Sequence, residues 1–345
     1  MSIAPVDFRR ATRAVANWQR VLLLTHERPD GDALGSLAAL ADLLQAQGKQ
    51  PVAMIFGEVP PRYAPLMQGA LLQPWSPLSA AEAAESYDGL ILTDTAARNQ
   101  LLPAAAVIDG ATLPLVVVDH HVTRDLQGDC QLIDAQASSA SLIVAEWAAE
   151  ADWPLSARAA SWLFIGMATD TGWFRFSSTD ARTLALAARL LSAGLHPDRI
   201  YQTLYLSDSP ARLRLIASML GGVTLHAGGR LAVSRVTVEM MAAAGATSHD
   251  LEDLVNETQR LGQVDSSVFL VERSDGPVKV SLRSKGLVDV AEVARRFGGG
   301  GHRRAAGARI AGSLAAIEER VVEVMLDELQ AALRAPPEQG HAQGD

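Results

Sequence analysis

Three short stretches of the chain, 21–25, 90–93 and 115–118, are apolar almost without a break, reading Val-Leu-Leu-Leu-Thr, Leu-Ile-Leu-Thr and Leu-Val-Val-Val. A run of that length with no alternation predicts a strand buried on both faces, as strands of parallel sheets are. Between and after these runs, the alanine- and leucine-rich segments 33–47, 139–149, 158–168 and 181–193 read as helices, and 52–56 as a further strand. The alternation predicts β-α units around a parallel sheet over the first two hundred or so residues. After a helix-like stretch over 210–220 and Gly221-Gly222, the pattern becomes strand, Gly-Gly turn and strand across 223–238. There follow a helix over 248–261, a hairpin of 267–272 and 278–283 about Ser274-Asp275-Gly276-Pro277, a helix over 289–297, the glycine run 298–301, a strand over 307–310 and an amphipathic helix over 313–333. The expected division is a first domain over 1–205, a linker helix over 206–222, a second domain over 223–334 and a disordered tail over 335–345.

Composition narrows the classes. With 48% hydrophobic and 20% charged residues over 345 positions, the chain has material for one or two real cores and is not a disordered polyelectrolyte. The net charge of −9 removes any global attraction to nucleic acid or anionic membrane, so a phosphate-bearing ligand must be held locally. A single cysteine, Cys130, excludes an internal disulfide and a thiolate zinc site and suits a reducing compartment. The opening residues lack the apolar core of a signal peptide and no apolar run is long enough to cross a membrane, so the expectation is a cytoplasmic protein that does not engage membrane.

The chemistry gathers where the three apolar runs end. The first leads into His26-Glu27-Arg28-Pro29-Asp30-Gly31-Asp32, the second into Asp94 and the third into Asp119-His120-His121. Carboxyl ends of parallel strands share one edge of a sheet, so residues distant in sequence converge there. Any one of these aspartates alone reads as a helix cap or turn residue; three strands ending this way together do not. Histidines with several carboxylates and no thiolate suit a divalent cation such as manganese, with magnesium or cobalt as alternatives. So many anionic groups in one small volume call for two cations, and a pair of cations suits hydrolysis of a phosphoester or phosphoanhydride. No G-x-G-x-x-G follows the first strand, which disfavours a dinucleotide-binding site. Gly31 is expected to serve a tight turn between Asp30 and Asp32.

The strings Thr25-His26-x-x-Pro29-Asp30-Gly31-Asp32-Ala33-x-Gly35-Ser36, Thr93-Asp94, Asp119-His120-His121 and Thr169-Asp170-Thr171-Gly172-x-Phe174 resemble, in order, the four motifs of the DHH phosphoesterase superfamily. Gly298-Gly299-Gly300-Gly301-His302-x-x-Ala305-Ala306-Gly307 resembles the signature of its DHH-associated domain. The similarity runs over about residues 20–311 and is greatest to short bacterial enzymes that degrade very short oligoribonucleotides and dephosphorylate 3'-phosphoadenosine 5'-phosphate. It implies an α/β fold: a Rossmann-like parallel-sheet DHH domain, then a smaller α/β domain with a mixed sheet. It also implies that His26, Asp30 and Asp94 hold one metal ion, and that Asp32, Asp94, His120 and Asp170 hold the other, Asp94 bridging. Asp170 enters only by this resemblance; within its apolar surroundings it otherwise reads as a helix-end residue. Asp119 is implied to orient His120, and His121 to face substrate phosphate as an acid or charge stabiliser. Arg28 departs from the asparagine that family members often carry there.

The positive charge missing from the whole is found locally. From Ser281 to Arg304 six basic residues (Arg283, Lys285, Arg295, Arg296, Arg303, Arg304) stand against Asp289 and Glu292. Beside glycines whose N–H groups a phosphate can approach, this is a candidate anion site. By resemblance Arg283, Ser284, Gly300 and His302 are its substrate-binding residues. The expected function is hydrolysis of very short RNA to mononucleotides and of 3'-phosphoadenosine 5'-phosphate to AMP, without affinity for long nucleic acid, by a homodimer. A soluble cyclic-di-AMP or linear diadenylate phosphodiesterase is the alternative within the same chemistry, and a catalytically inactive nucleotide-binding regulator the alternative outside it.

Overall fold

The structure, a computed structural model, describes residues 5–110, 112–122 and 124–334. The tail 335–345, expected to be disordered, lies outside the described residues. The chain is mixed α/β and divides into two compact units between Ser207 and Asp208.

The first unit is built on six parallel strands, β1 (Arg20–Leu24), β2 (Gln50–Ile55), β3 (Leu72–Pro74), β4 (Gly89–Thr93), β5 (Leu115–Asp119) and β6 (Cys130–Ile133), in the order β3-β2-β1-β4-β5-β6. The three apolar runs are β1, β4 and β5, adjacent at the centre of the sheet. Their side chains alternate between two cores. Val21, Leu23, Ile91, Val116 and Val118 enter one, while Leu22, Leu24, Leu90, Leu92 and Val117 enter the other. Burial on both faces explains why these strands carry no polar alternation. The chain travels from β1 outward to β3 and then returns to begin again at β4 on the other side of β1. That reversal opens a crevice at the carboxyl ends of β1 and β4.

Helix Gly31–Ala46 packs against helix Ala157–Asp170 at glycine contacts. A Cβ on Gly35 would lie 2.4 Å from the Trp162 carbonyl oxygen, and one on Gly31 would lie 2.3 Å from Thr169 Oγ1. Neither glycine has a positive φ. Gly31 is therefore required by helix approach, not by the turn expected of it.

The second unit carries β7 (Thr224–His226), β8 (Leu231–Val236), β9 (Ser266–Val271), β10 (Val278–Ser284), β11 (Gly300–His302) and β12 (Ala305–Ile310) in one sheet of order β11-β12-β10-β9-β8-β7. The β8–β9 pair is parallel and the other pairs are antiparallel, so the sheet is mixed. Helix Leu314–Arg334 buries Ile317, Val321, Met325 and Leu329, one residue per turn along a single stripe. Helix Pro210–Gly221, expected as a linker, buries Leu215 and Met219 among Leu254, Val255 and Phe269 and is part of this unit. The helix expected over 248–261 is instead three short 3-10 turns. Asp253 breaks the run, its backbone being left-handed at a φ of 61°. The glycine run also differs from expectation: Gly300 and Gly301 belong to edge strand β11.

Candidate metal centre

Each proposed site residue of the first unit stands where an element ends. His26 follows β1, and its Nδ1 donates to the Glu27 carbonyl at 2.8 Å, which leaves Nε2 facing Asp94 Oδ2 at 3.4 Å. Asp30 caps helix Gly31–Ala46, its Oδ1 accepting from the N–H groups of Asp32 at 3.0 Å and Ala33 at 3.1 Å. Asp94 follows β4, with its N–H still bonded to the Val118 carbonyl of β5 and its backbone in the left-handed region at a φ of 60°. A non-glycine residue adopts that conformation at a cost, and here it turns the carboxylate back over the sheet edge.

From β5, His120 Nε2 lies 3.3 Å from Asp94 Oδ1, 3.4 Å from Asp170 Oδ2 and 3.9 Å from Asp32 Oδ2. Asp119, fully buried, holds the ring of His121 by an Nδ1–Oδ1 hydrogen bond of 2.8 Å. To His120 it offers only a contact with the backbone N–H, at 2.9 Å. Asp119 therefore orients His121, not the His120 ring that the resemblance implied. Asp170 ends the apolar helix Ala157–Asp170, which brings its Oδ2 within 3.4 Å of His120 Nε2. Asp32 is clasped from elsewhere: the N–H groups of Ala140 and Ser141 donate to its Oδ2 at 2.6 Å and its Oδ1 at 2.9 Å.

Two sets of side chains able to hold a metal ion result, His26 with Asp30 and Asp94, and Asp32 with His120 and Asp170; a third overlapping set joins Asp94, His120 and His121. The donors suit a hard divalent cation, being imidazole nitrogen and carboxylate oxygen only. The strongest sign of fit is the buried Asp94 carboxylate, whose Oδ1 makes no well-formed hydrogen bond and faces the imidazoles of His120 at 3.3 Å and His121 at 3.7 Å. A buried anionic oxygen needs positive charge beside it, which protonated imidazoles supply in the absence of a metal ion and a divalent cation supplies when bound.

The electrostatics of the metal-free cluster agree. Burial opposes charge on His26, but the hydrogen bond and charge of Asp94 outweigh it and push the imidazole up to about 10. His120 is likewise driven well above its ordinary value against the effect of burial, chiefly by Asp94 and Asp170. Burial and the Asp94 charge raise Asp32 to about 7, and burial holds Asp170 well above the usual carboxylate range. Asp94 goes the other way: despite burial, His120 and His26 hold it far below that range. Protons thus occupy positions where a cation binds when protons leave.

In the second unit, Arg283 on β10 donates Nε to Asn256 Oδ1 at 3.2 Å and Nη1 to the Leu282 carbonyl at 3.1 Å. Burial lowers its pKa, with the Asp253 charge acting in the opposite sense. Ser284, buried at the end of β10, accepts the Gly286 N–H on its Oγ at 2.9 Å. Gly300 pairs with Gly307 and His302 with Ala305.

Sequence reasoning missed the residues that hold others. Ala140 and Ser141 were legible only as a helix start after Ser139; that their N–H groups meet Asp32 requires the fold. Asn256 lay inside a segment expected to be helical.

The description "DHH family, N-terminal domain" matches residues 20–167, and "DHHA1 domain" matches residues 215–335. A Thermus thermophilus protein named bifunctional oligoribonuclease and PAP phosphatase NrnA is 32% identical, over 90% of this chain and 91% of its own length. A Bacillus subtilis protein of the same name is 28% identical over 86% of this chain and 91% of its own. Among solved structures, an exopolyphosphatase-related protein from Bacteroides fragilis shares the fold, with a TM-score of 0.85 and 24% identity over 95% of this chain and 97% of that one.

Proposed function

Because this chain belongs to the DHH family, with a DHHA1 domain following the DHH domain, we propose that it is a metal-dependent phosphoesterase. Its substrates are very short oligoribonucleotides, cut to mononucleotides, and 3'-phosphoadenosine 5'-phosphate, converted to AMP. The names of the Thermus and Bacillus relatives support the substrate class. The observation that carries the chemistry is the buried Asp94 carboxylate, 3.4 Å from His26 and 3.3 Å from His120, at the meeting point of histidines and aspartates from three strand ends and a helix.

In this reading His26, Asp30 and Asp94 hold one divalent cation, and Asp32, Asp94, His120 and Asp170 hold a second, manganese best matching the mixed donors. Bound there, such ions supply Lewis acidity toward phosphoryl oxygens and a water that gives up its proton near neutral pH. The rest is the work of side chains. His26 donates Nδ1–H to Glu27 and so presents Nε2, the orientation a ligating imidazole needs. His121 is held by Asp119, and the bond to Asp119 together with the Asp94 charge outweighs burial and keeps its pKa raised. It can therefore give a proton to the leaving oxygen or stabilise charge on the phosphate. Arg283, its guanidinium occupied only by neutral oxygens among the hydrogen bonds described, grips a substrate phosphate, and Ser284, Gly300 and His302 complete that contact.

The test is turnover of diribonucleotide, 3'-phosphoadenosine 5'-phosphate, cyclic diadenylate and pyrophosphate under one manganese condition, with Asp94→Asn alongside. The first two should be hydrolysed by the wild type and neither by the variant. Preference for cyclic diadenylate would replace this substrate assignment, and an unchanged Asp94→Asn rate would remove Asp94 from the chemistry. Homodimerisation and a cytoplasmic setting belong to the same proposal. Equilibrium sedimentation showing a monomer at working concentration would discard the former; among the described residues no helix is long and apolar enough to cross a membrane.

A further inference from the structure

Asp32 is held by a backbone segment that is itself tied down from behind. The segment runs from Asp134, just past β6, to Ser141 in the first turn of helix Ala140–Glu150. Its residues Ser138, Ser139, Ala140 and Ser141 are all buried, and the N–H groups of Ala140 and Ser141 each meet one oxygen of Asp32. Two contacts from helix Ala181–Leu191 fix it. Arg182 places Nη1 2.7 Å from Asp134 Oδ2, while its Nε and Nη2 reach the two Glu146 oxygens at 2.5 Å each. The adjacent Thr183 hydroxyl lies 3.0 Å from that of Ser138. Asp134 is 1% exposed, and its other oxygen accepts the Gln136 N–H at 2.9 Å. One guanidinium thus spans the start of the segment and the helix that the segment enters.

We infer that Arg182 is a positioning residue for the metal set of Asp32, His120 and Asp170: by bridging Asp134 and Glu146 it sets the segment whose two N–H groups aim the Asp32 carboxylate. Arg182 touches none of the three. Asp134 and Glu146 are not in the metal sets, and their pairing with Arg182 supplies planar, two-sided geometry that a lysine cannot reproduce. The set of His26, Asp30 and Asp94 has no hydrogen bond to this segment among those described, so the loss of Arg182 falls mainly on the ion that Asp32 holds. The inference rests on the metal-dependent reading above.

The experiment is titration of the full chain with manganese, free ion being read by its electron paramagnetic resonance signal and the metal-free unfolding temperature measured in parallel. The wild type should bind two ions per chain. Arg182→Met should weaken one of them roughly 10- to 100-fold, the range typical of groups that orient metal ligands, and the other, which shares Asp94, distinctly less. Arg182→Lys should fall between. Should Arg182→Met not fold, Glu146→Gln, which keeps shape and one hydrogen bond, should show the same selective weakening to a smaller degree. Equal weakening of both ions, or wild-type binding of both whatever happens to the unfolding temperature, overturns the inference. A wild-type chain that takes up no manganese would sink the functional reading itself and this inference with it.

Discussion

His26 and Asp94 show how a single pair of residues links the site to pH. In the metal-free protein the imidazole is pushed up to about 10, against burial, by Asp94. Because the folded value exceeds the unfolded one, the associated stability is fully present below the ordinary histidine value, about 6.5. It is lost as pH rises through about 10. Asp32, raised by burial and by the Asp94 charge to about 7, contributes in the same sense: present below the ordinary carboxylate range and lost through about 7. Manganese competes with these protons, so its binding strengthens as they leave. The metal-free unfolding temperature should therefore fall from about pH 6 to about pH 9, while the increase caused by saturating manganese should grow. Thermal melts with and without manganese across that range check both trends; a manganese increment that shrinks toward alkaline pH would contradict the assignment of these groups as ligands.

At the scale of elements, the site depends on two helices meeting at glycines. Gly35 faces the Trp162 carbonyl, and Gly166 faces Ser141 Oγ and Asp32 Oδ1, so closely that no Cβ fits at either position. The close approach sets Asp32, near the start of one helix, against Asp170, at the end of the other. Gly35→Ala forces a backbone oxygen and a methyl group into the same space, and the helices must part. We expect a loss of about 1–3 kcal/mol in urea unfolding, the usual cost of overpacking a filled interior. Weaker manganese binding should accompany it, since the two aspartates separate with the helices. An alanine variant as stable as the wild type would mean that the helices can slide without cost. The element order itself was largely legible: uninterrupted apolar runs at 21–25, 90–93 and 115–118 became the three central strands, since burial on both faces leaves no polar alternation. The segment 248–261 was not legible, because a helical composition there is interrupted by a left-handed Asp253 that the residue type does not announce.

For the whole molecule, net charge leads to an expectation about the length of ligand. The net charge is −9, and the six basic residues between Ser281 and Arg304 are the one dense positive stretch singled out in the sequence. Affinity for long polyanions grows with the number of phosphates neutralised, and an acidic chain offers few such contacts. The value of kcat/KM should fall as oligoribonucleotides lengthen from two to roughly twenty nucleotides, and the fall should be steeper at low salt, where repulsion is less screened. A rate constant rising with length would remove this account. Local periodicity and residue chemistry determined by themselves the parallel sheet, the strand ends bearing histidine and aspartate, and the glycine-rich second unit, because each is written in neighbouring residues. Only tertiary structure decided that Asp119 grips His121, that Ala140 and Ser141 clasp Asp32, and that Gly31 answers Thr169. Those contacts join residues that are remote in the chain or depend on a backbone turn, and no periodicity records which atoms a closed sheet edge will bring within hydrogen-bond reach.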